Sequence, residues 1–357
     1  MTHTEGPRAL PWVGTLVKRS PEHPRGGGLL MVPTSEERVQ PKHILVTGGH
    51  GTIGAGLVES LSEAGHQVFS LDLDHGPDEI GFSLHSDVPS PRYARADVGE
   101  FRQLERVVKG LGPFDCVYHC AAEFGRWNGE DFYEQLWKTN AVGTKNVIRL
   151  QEELGFRLIH FSSSEVYGDW PTLMVETVMD EYEIKQLNDY AMSKWVNEMQ
   201  VRNSALSRGT ETVVVRLFNT YGPGEYYSPY RSVNCRFLYC ALQGIPWTVY
   251  RGHSRTSTYL ADCVRTLSNI VSNFKPGETY NIGGIDLHTI EELSDLVLEA
   301  TGADPGLVHY EDSEAMTTTA KTVDITRSIR DLDHRNETDL RTGLQLTADW
   351  MRRVHDP

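Results

Sequence analysis

The sequence predicts an α/β fold, a doubly wound parallel sheet with a smaller C-terminal lobe. Short apolar runs alternate with helical stretches from residue 41 onward. Those runs are apolar on both faces and rich in β-branched residues, as strands covered by helices on both sides are. The stretch "ILVTGGHGTIGAGL", Ile44 to Leu57, sets a glycine cluster between the first strand and the first helix. A βαβα rhythm of this kind winds into one open parallel sheet.

Taken in order, residues 1–40 carry Pro7, Pro11, Pro21, Pro24, Pro33 and Gly26-Gly27-Gly28 without a sustained period, which reads as a flexible leader. Strands are expected at His43–Thr47, Gln67–Leu71, Cys116–Cys120, Leu158–Phe161 and Thr212–Leu217. Helices are expected at Thr52–Ala64, Phe101–Lys109, Glu134–Leu154 and Asp189–Leu206, with Gly65 and Gly155 in C-capping positions. After Leu217 turn formers and aromatics dominate, "ETYNIGG" offers one more strand, and the tail from Asp286 reads as helices. The domains follow as 41–220 and 221–357, with roughly 257–285 returning to the first.

Composition excludes several functions. The chain has 357 residues, 39% hydrophobic and 23% charged, an ordinary globular balance. A net charge of −15 argues against nucleic acid and anionic membrane as partners. An anionic ligand needs local arginines or helix N-termini to reverse that field. The five cysteines are odd in number and form no C-x-x-C pair, so free thiols in a reducing compartment are expected, with Cys116 and Cys120 as packing residues. No run is long enough to cross a bilayer, and Leu29–Val32 is too short for a signal-peptide core. A cytoplasmic protein is expected. His50, His119 and His253 lack metal-like spacing partners, and no metal site is expected.

The glycine cluster reads as G-x-G-x-x-G through Gly49, Gly51 and Gly54, or as G-x-x-G-x-x-G through Gly48, Gly51 and Gly54, with Thr52 and Ile53 opening the helix. Bare backbone lets a pyrophosphate approach, and the helix start offers N–H donors and a positive dipole end. Asp72 ends the second strand, where a carboxylate accepts from an adenosine ribose hydroxyl. It would repel a 2′-phosphate, so the Rossmann-like domain is expected to bind NAD rather than NADP. In "DYAMSK", Tyr190 and Lys194 lie four apart on one helix face. A cation beside a phenol favours the phenolate, which serves as a base. "HFSSSEVYG" brings three hydroxyls and a carboxylate to the carboxyl edge of a parallel strand, where open α/β sheets bind ligands.

With these motifs stand "LDLD", "ADV" at Ala96–Val98, "HCAA" at His119–Ala122, "TNAVGTKNV", "RLFNTYGPG" and "YNIGG". In this order they resemble the extended short-chain dehydrogenase/reductase family, in its nucleotide-sugar epimerase/dehydratase branch, from about residue 41 to the C-terminus. The resemblance implies Tyr190 as catalytic base, with Lys194 lowering its pKa and holding the nicotinamide ribose. It implies Ser163 on the sugar 4-hydroxyl, Asp97 and Val98 near the adenine, and Ala121 and Ala122 along the cofactor. Ser164, Asn219 and Arg255 fall on substrate positions, the last two at the diphosphate. Arg231 and Arg251 are open between ligand contacts and surface charges, and Asn140 reads as a backbone-bracing amide.

The implied chemistry removes hydride from sugar carbon 4 to NAD and returns it later through a 4-keto intermediate. Glu165 matches a second acid/base group of the 4,6-dehydratases and of the nucleoside-diphosphate-glucuronate decarboxylases. Ser164 stands where dTDP-glucose dehydratases carry Asp, Ala121-Ala122 where decarboxylases carry Ser-Pro, and a simple 4-epimerase needs no such Glu. The reaction expected is of the epimerase/dehydratase type, with decarboxylase or simple 4-epimerase as alternatives. From another class comes a catalytically silent NAD-binding sensor. A homodimer is expected through Glu134–Leu154 and Asp189–Leu206, with Trp195 and Met199 at the seam or in the core.

Overall fold

A computed structural model of the protein describes residues 40–73 and 92–355. The expected N-terminal leader lies outside the described residues. Seven parallel strands form one sheet: β1 (His43–Thr47), β2 (Gln67–Asp72), β3 (Arg92–Arg95), β4 (Cys116–His119), β5 (Arg157–Ser163), β6 (Thr212–Leu217) and the strand Thr279–Ile282. Across the sheet they run Thr279–Ile282, β6, β5, β4, β1, β2, β3, so the order reverses at β1 and β4. That reversal opens a crevice above the strand ends. The five expected strands are all present, as the covered core requires: Ile44, Leu45, Leu158, Ile159 and Val213 are fully buried. Apolar layers form on both faces of the sheet, one with Leu57 and Leu61 and the other with Leu104 and Ile148.

β3 was not expected. Its sequence RYAR is short and charged, and it gains strand structure only by pairing with β2 at the sheet's edge, Phe69 opposite Arg92 through Asp72 opposite Arg95. The expected helix over 134–154 is interrupted. It runs as Tyr133–Trp137, a wide turn at Lys138–Val142 and Gly143–Leu154. A side chain at Gly143 would lie 2.8 Å from Val98 Cγ2, so the helix rests directly on the segment after β3. The wide turn carries Asn140, whose amide accepts from Glu123 N–H and donates to the Glu123 carbonyl and Ser193 Oγ. The bracing role expected for Asn140 is what the structure shows.

The tail also differs from the all-helical expectation. Leu287–Thr289 pairs antiparallel with Ser254–Thr256, and Val308–Glu311 pairs parallel with Trp247–Tyr250. These are strands of three and four residues, too short to show a period of two in sequence. They join the helices Val233–Gln243, Ile290–Thr301 and Leu340–His355 around a separate core containing Leu238, Leu293 and Leu344.

The Asp189–Arg208 helix is anchored by a buried ion pair. Arg216 of β6 donates through Nε and Nη2 to both oxygens of Glu198, at 2.9 and 2.8 Å, and both side chains are fully buried. Ser162 of β5 donates to the same carboxylate at 2.5 Å. Arg216 Nη1 spends its remaining capacity on Tyr167 and the Glu176 carbonyl. Glu198 lies one helical turn beyond Lys194 and Ser162 precedes Ser163, so this network sets the helix against β5 where the site begins.

Candidate active site

Because the strands are parallel, the exits of β1, β4 and β5 share one edge. A cleft of about 680 Å³ opens there. Its lining brings together Gly48, Gly51, Thr52, Ile53, Gly54, Asp72, Val98, Ala121 and Ala122 with Ser163, Ser164, Glu165, Tyr190, Lys194, Asn219, Arg231 and Arg255. Asp97 is absent from the lining. Its carboxylate accepts from Gly99 N–H at 2.7 Å and pairs with Lys138 at 3.3 Å.

The glycines divide their work. Gly48 has φ +70°, and a Cβ there would lie 2.7 Å from Ala121 N, so the β1 and β4 exits touch through bare backbone. A Cβ on Gly54 would lie 2.0 Å from the Gly48 carbonyl, pressing the helix start onto the loop. Gly51 has an ordinary φ of −70° and lies exposed at the cleft, with the first-turn N–H groups of the Thr52–Glu63 helix beside it. Asp72 accepts from the backbone N–H of His50 at 2.9 Å and of Leu73 at 2.7 Å, which turns its carboxylate to the glycine loop. A close-packed loop, a helix start and a carboxylate at the second strand's end fit the pyrophosphate and adenosine ribose of NAD.

At the other end of the cleft, the Ser163 side chain and the Tyr190 phenol line the wall together. Asn188 caps the helix by accepting from Ala191 N–H at 2.8 Å, which places Tyr190 in its first turn. Lys194 donates to the Phe161 carbonyl at 2.8 Å, and its ammonium lies 5.9 Å from the centre of the Tyr190 ring. Burial lowers the Lys194 ammonium to about 8. Burial also pushes the Tyr190 phenol up to about 12; the neighbouring Ser163 hydroxyl works against that rise and the Glu165 charge adds to it. The expected lowering of the phenol's pKa by Lys194 is therefore not supplied by the protein alone, because the lysine turns to a carbonyl and burial dominates.

Glu165 sits in a cluster that the sequence reading missed. Its carboxylate pairs with the Lys321 ammonium and accepts from Asn188 Nδ2 at 3.4 Å. Burial alone would raise it, but Lys321, Arg126 and Arg255 together hold it at about 2. Arg126 pairs with Glu314 at 2.8 Å. Arg255, expected at a diphosphate, instead donates to the Ser254, Thr318 and Thr319 carbonyls and to Thr317 Oγ1. Lys321 and Glu314 lie far from every motif in sequence, and only the threonine-rich stretch TTTAK hints at a segment that gives up its carbonyls. Arg236, also unnamed by the sequence, lines the cleft with Arg231, whose guanidinium lies 4.4 Å from the Phe124 ring centre. Arg251 faces solvent beside Asp312. Asn219 has φ +41° and donates to the Thr256 carbonyl at 2.8 Å. Such strain in a residue other than glycine gathers at functional clefts.

The profile of the NAD dependent epimerase/dehydratase family matches residues 44–283. The chain belongs to this family. It is 30% identical over 273 residues to the UDP-N-acetyl-alpha-D-glucosaminuronate decarboxylase of Bacillus cytotoxicus, covering 75% of this chain and 83% of that one. It is 28% identical over 321 residues to the dTDP-glucose 4,6-dehydratase of Streptomyces niveus, covering 87% and 92%. The structure of MoeE5 in complex with UDP-glucuronic acid and NAD superposes with a TM-score of 0.76 at 25% identity, covering 87% of this chain and 99% of that one. The Rossmann-like fold, NAD as cofactor and the enzymatic character expected from the sequence are those of this family. Among the described residues no helix of this family member is long and apolar enough to cross a membrane.

Proposed function

We propose that the protein rearranges a nucleoside-diphosphate sugar by internal redox at carbon 4. The observation that carries this reading is that Ser163, Tyr190 and Lys194 face the same cleft as the glycine loop and Asp72. NAD, when bound, supplies the hydride acceptor and a positive charge. Ser163 orients the sugar 4-hydroxyl, and Tyr190 takes its proton. Lys194 adds positive charge beside the phenol and lies within reach of a ribose. The diphosphate is assigned to Arg231, Arg236 and the start of the Val233–Gln243 helix, which Ser232 caps by accepting from Cys235 N–H at 3.1 Å. Arg255 acts there only through the carbonyls it holds, and Asn219 lines the same region.

Glu165 is the second proton-transfer group of this reading. A specific observation favours the decarboxylase form over the dehydratase form. A carboxylate held at about 2 is a weak base for removing the carbon 5 proton, which dehydration requires. A 4-keto sugar acid is a β-keto acid and loses carbon dioxide without that abstraction. Arg126, which lines the cleft with Glu165, suits a sugar carrying a carboxylate, while Arg255 and, behind them, Lys321 keep the local field positive. Incubation with UDP-, dTDP-, GDP- and CDP-sugars and sugar acids, read by mass spectrometry, tests the reading. Loss of carbon dioxide supports this form, loss of water supports the dehydratase form, and net oxidation with NADH release refutes internal redox.

A homodimer in the cytoplasm completes the proposal. Met199 and Leu206 are exposed on the Asp189–Arg208 helix, Leu206 at 89%, and Leu154 at 45% lies on the neighbouring helix. Trp195 packs inward against the cluster of Val166 and Met174. Five free thiols suit a reducing compartment.

A further inference from the structure

The segment from Glu311 to Val323 straps the sugar end of the cleft through its own backbone. The Ala315 carbonyl accepts from Arg126, the Met316 carbonyl from Asn188, and the Thr318 and Thr319 carbonyls from Arg255. The Lys321 N–H donates to the Ser254 carbonyl, and Met174 N–H donates to the Thr322 carbonyl. Seven residues of fixed chain thus deliver one ammonium, Lys321, to the rear of Glu165. Lys321 is 3% exposed and does not line the cleft, whereas Glu165 does. A buried lysine on a buried carboxylate is costly unless the pair does something an apolar pair could not.

We propose that Lys321 acts through Glu165 as the store of the proton exchanged at sugar carbon 5. The inference rests on the internal-redox reading above, in its decarboxylase form. After the carbon 6 carboxylate leaves as carbon dioxide, the enolate at carbon 5 needs one proton. Glu165 is held as a carboxylate and has none to give. Lys321 passes a proton from nitrogen to the Glu165 oxygen, Glu165 passes it to carbon 5, and the C5–H bond forms as the enolate pair reverts to the ketone. The pair ends as a neutral amine and a carboxylate, and solvent restores the ammonium. The groups that face this pair are Arg126 at the start of a short helix, Glu314 from a loop, Arg255 from its strand, Asn188 at the helix cap and Tyr190. Burial lowers Lys321 to about 8, so its proton is exchangeable near neutral pH, as those of the arginines are not. Lys321 touches no substrate atom and is a positioning residue for Glu165.

The test compares Lys321→Met and Lys321→Arg with the wild-type protein on the sugar acid that it turns over. Rapid-mixing absorbance follows reduction of bound NAD, and mass spectrometry follows product and solvent deuterium at carbon 5. Both variants should reduce NAD at the wild-type rate, because that step uses Tyr190. Both should then stall, with kcat lowered about 100-fold or more. Lys321→Arg keeps the charge and should keep KM within about threefold, yet it should not rescue kcat, since arginine does not release its proton. If Lys321→Arg restores kcat, the lysine serves only as a charge and the inference falls. It falls equally if the wild-type product carries no solvent deuterium at carbon 5. No reduction of NAD in the wild-type protein would instead refute the internal-redox reading itself.

Discussion

Removing the charge of Glu198 should destabilise the protein far more than its distance from the cleft suggests. Glu198→Gln keeps the shape of the side chain and leaves Arg216 with no countercharge. Both residues are fully buried, and two of the guanidinium's hydrogen bonds end on that carboxylate. The Gln amide would also present its N–H₂ group to a guanidinium that can only donate. Breaking a buried pair from one side costs about 3–5 kcal/mol, most of it the uncompensated charge. Glu198→Leu combined with Arg216→Met removes both charges and should cost less than either change alone. What remains is the Glu176 carbonyl that Arg216 now satisfies and the Ser162 hydroxyl that now donates to Glu198, about 1–3 kcal/mol for each neutral group that finds no new partner. Tyr167 keeps its bond to Asn281 at 2.7 Å. Urea unfolding followed by circular dichroism measures all of these variants. A Glu198→Gln protein within 1 kcal/mol of wild type would refute the idea that this pair holds the helix to the sheet.

The glycine loop gives a contrast. Gly54→Ala places a methyl 2.0 Å from the Gly48 carbonyl and should disrupt the loop, whereas Gly51→Ala, with 3.3 Å and an ordinary φ, should fold normally and lose NAD affinity; thermal melts with and without NAD separate them. Asp72→Ala removes a charge-assisted acceptor, and NAD should bind about 10- to 100-fold more weakly by calorimetry while discrimination against NADP shrinks. Glu165 has a folded pKa of about 2, below its ordinary 4.5, so its stabilisation is present above the unfolded value and is lost as pH falls from about 5 towards 2. Glu165→Gln should therefore flatten the fall in melting temperature over the upper part of that range.

The sheet was legible because buried parallel strands announce themselves as β-branched runs, and the glycine loop because its place between strand and helix restricts its meaning. The cofactor half of the cleft was legible for the same reason: Gly48, Gly54 and Asp72 act through backbone geometry that their positions fix. The sugar half was less so. Glu165 was visible in its motif, but the state of its carboxylate depends on Lys321, 156 residues away, and on Arg126 at the start of a short helix. Arg255 was visible as a cation, yet its direction is set by the carbonyls of Thr318 and Thr319, which no residue pattern encodes. β3 escaped because an edge strand that borrows its structure from β2 needs no apolar run. The Tyr190–Lys194 spacing was clear, while the balance of burial against charge that raises the phenol is a property of the packed site.

The most direct measurement is made on the NAD-loaded protein mixed with its nucleotide sugar carrying deuterium at carbon 4. Absorbance near 340 nm should rise and decay within one turnover, slower with the deuterated sugar, and the deuterium should pass to the nicotinamide and return to product. Tyr190→Phe should lose the transient while still binding NAD. Turnover with no reduced nicotinamide, and with deuterium never leaving carbon 4, would contradict internal redox at that carbon.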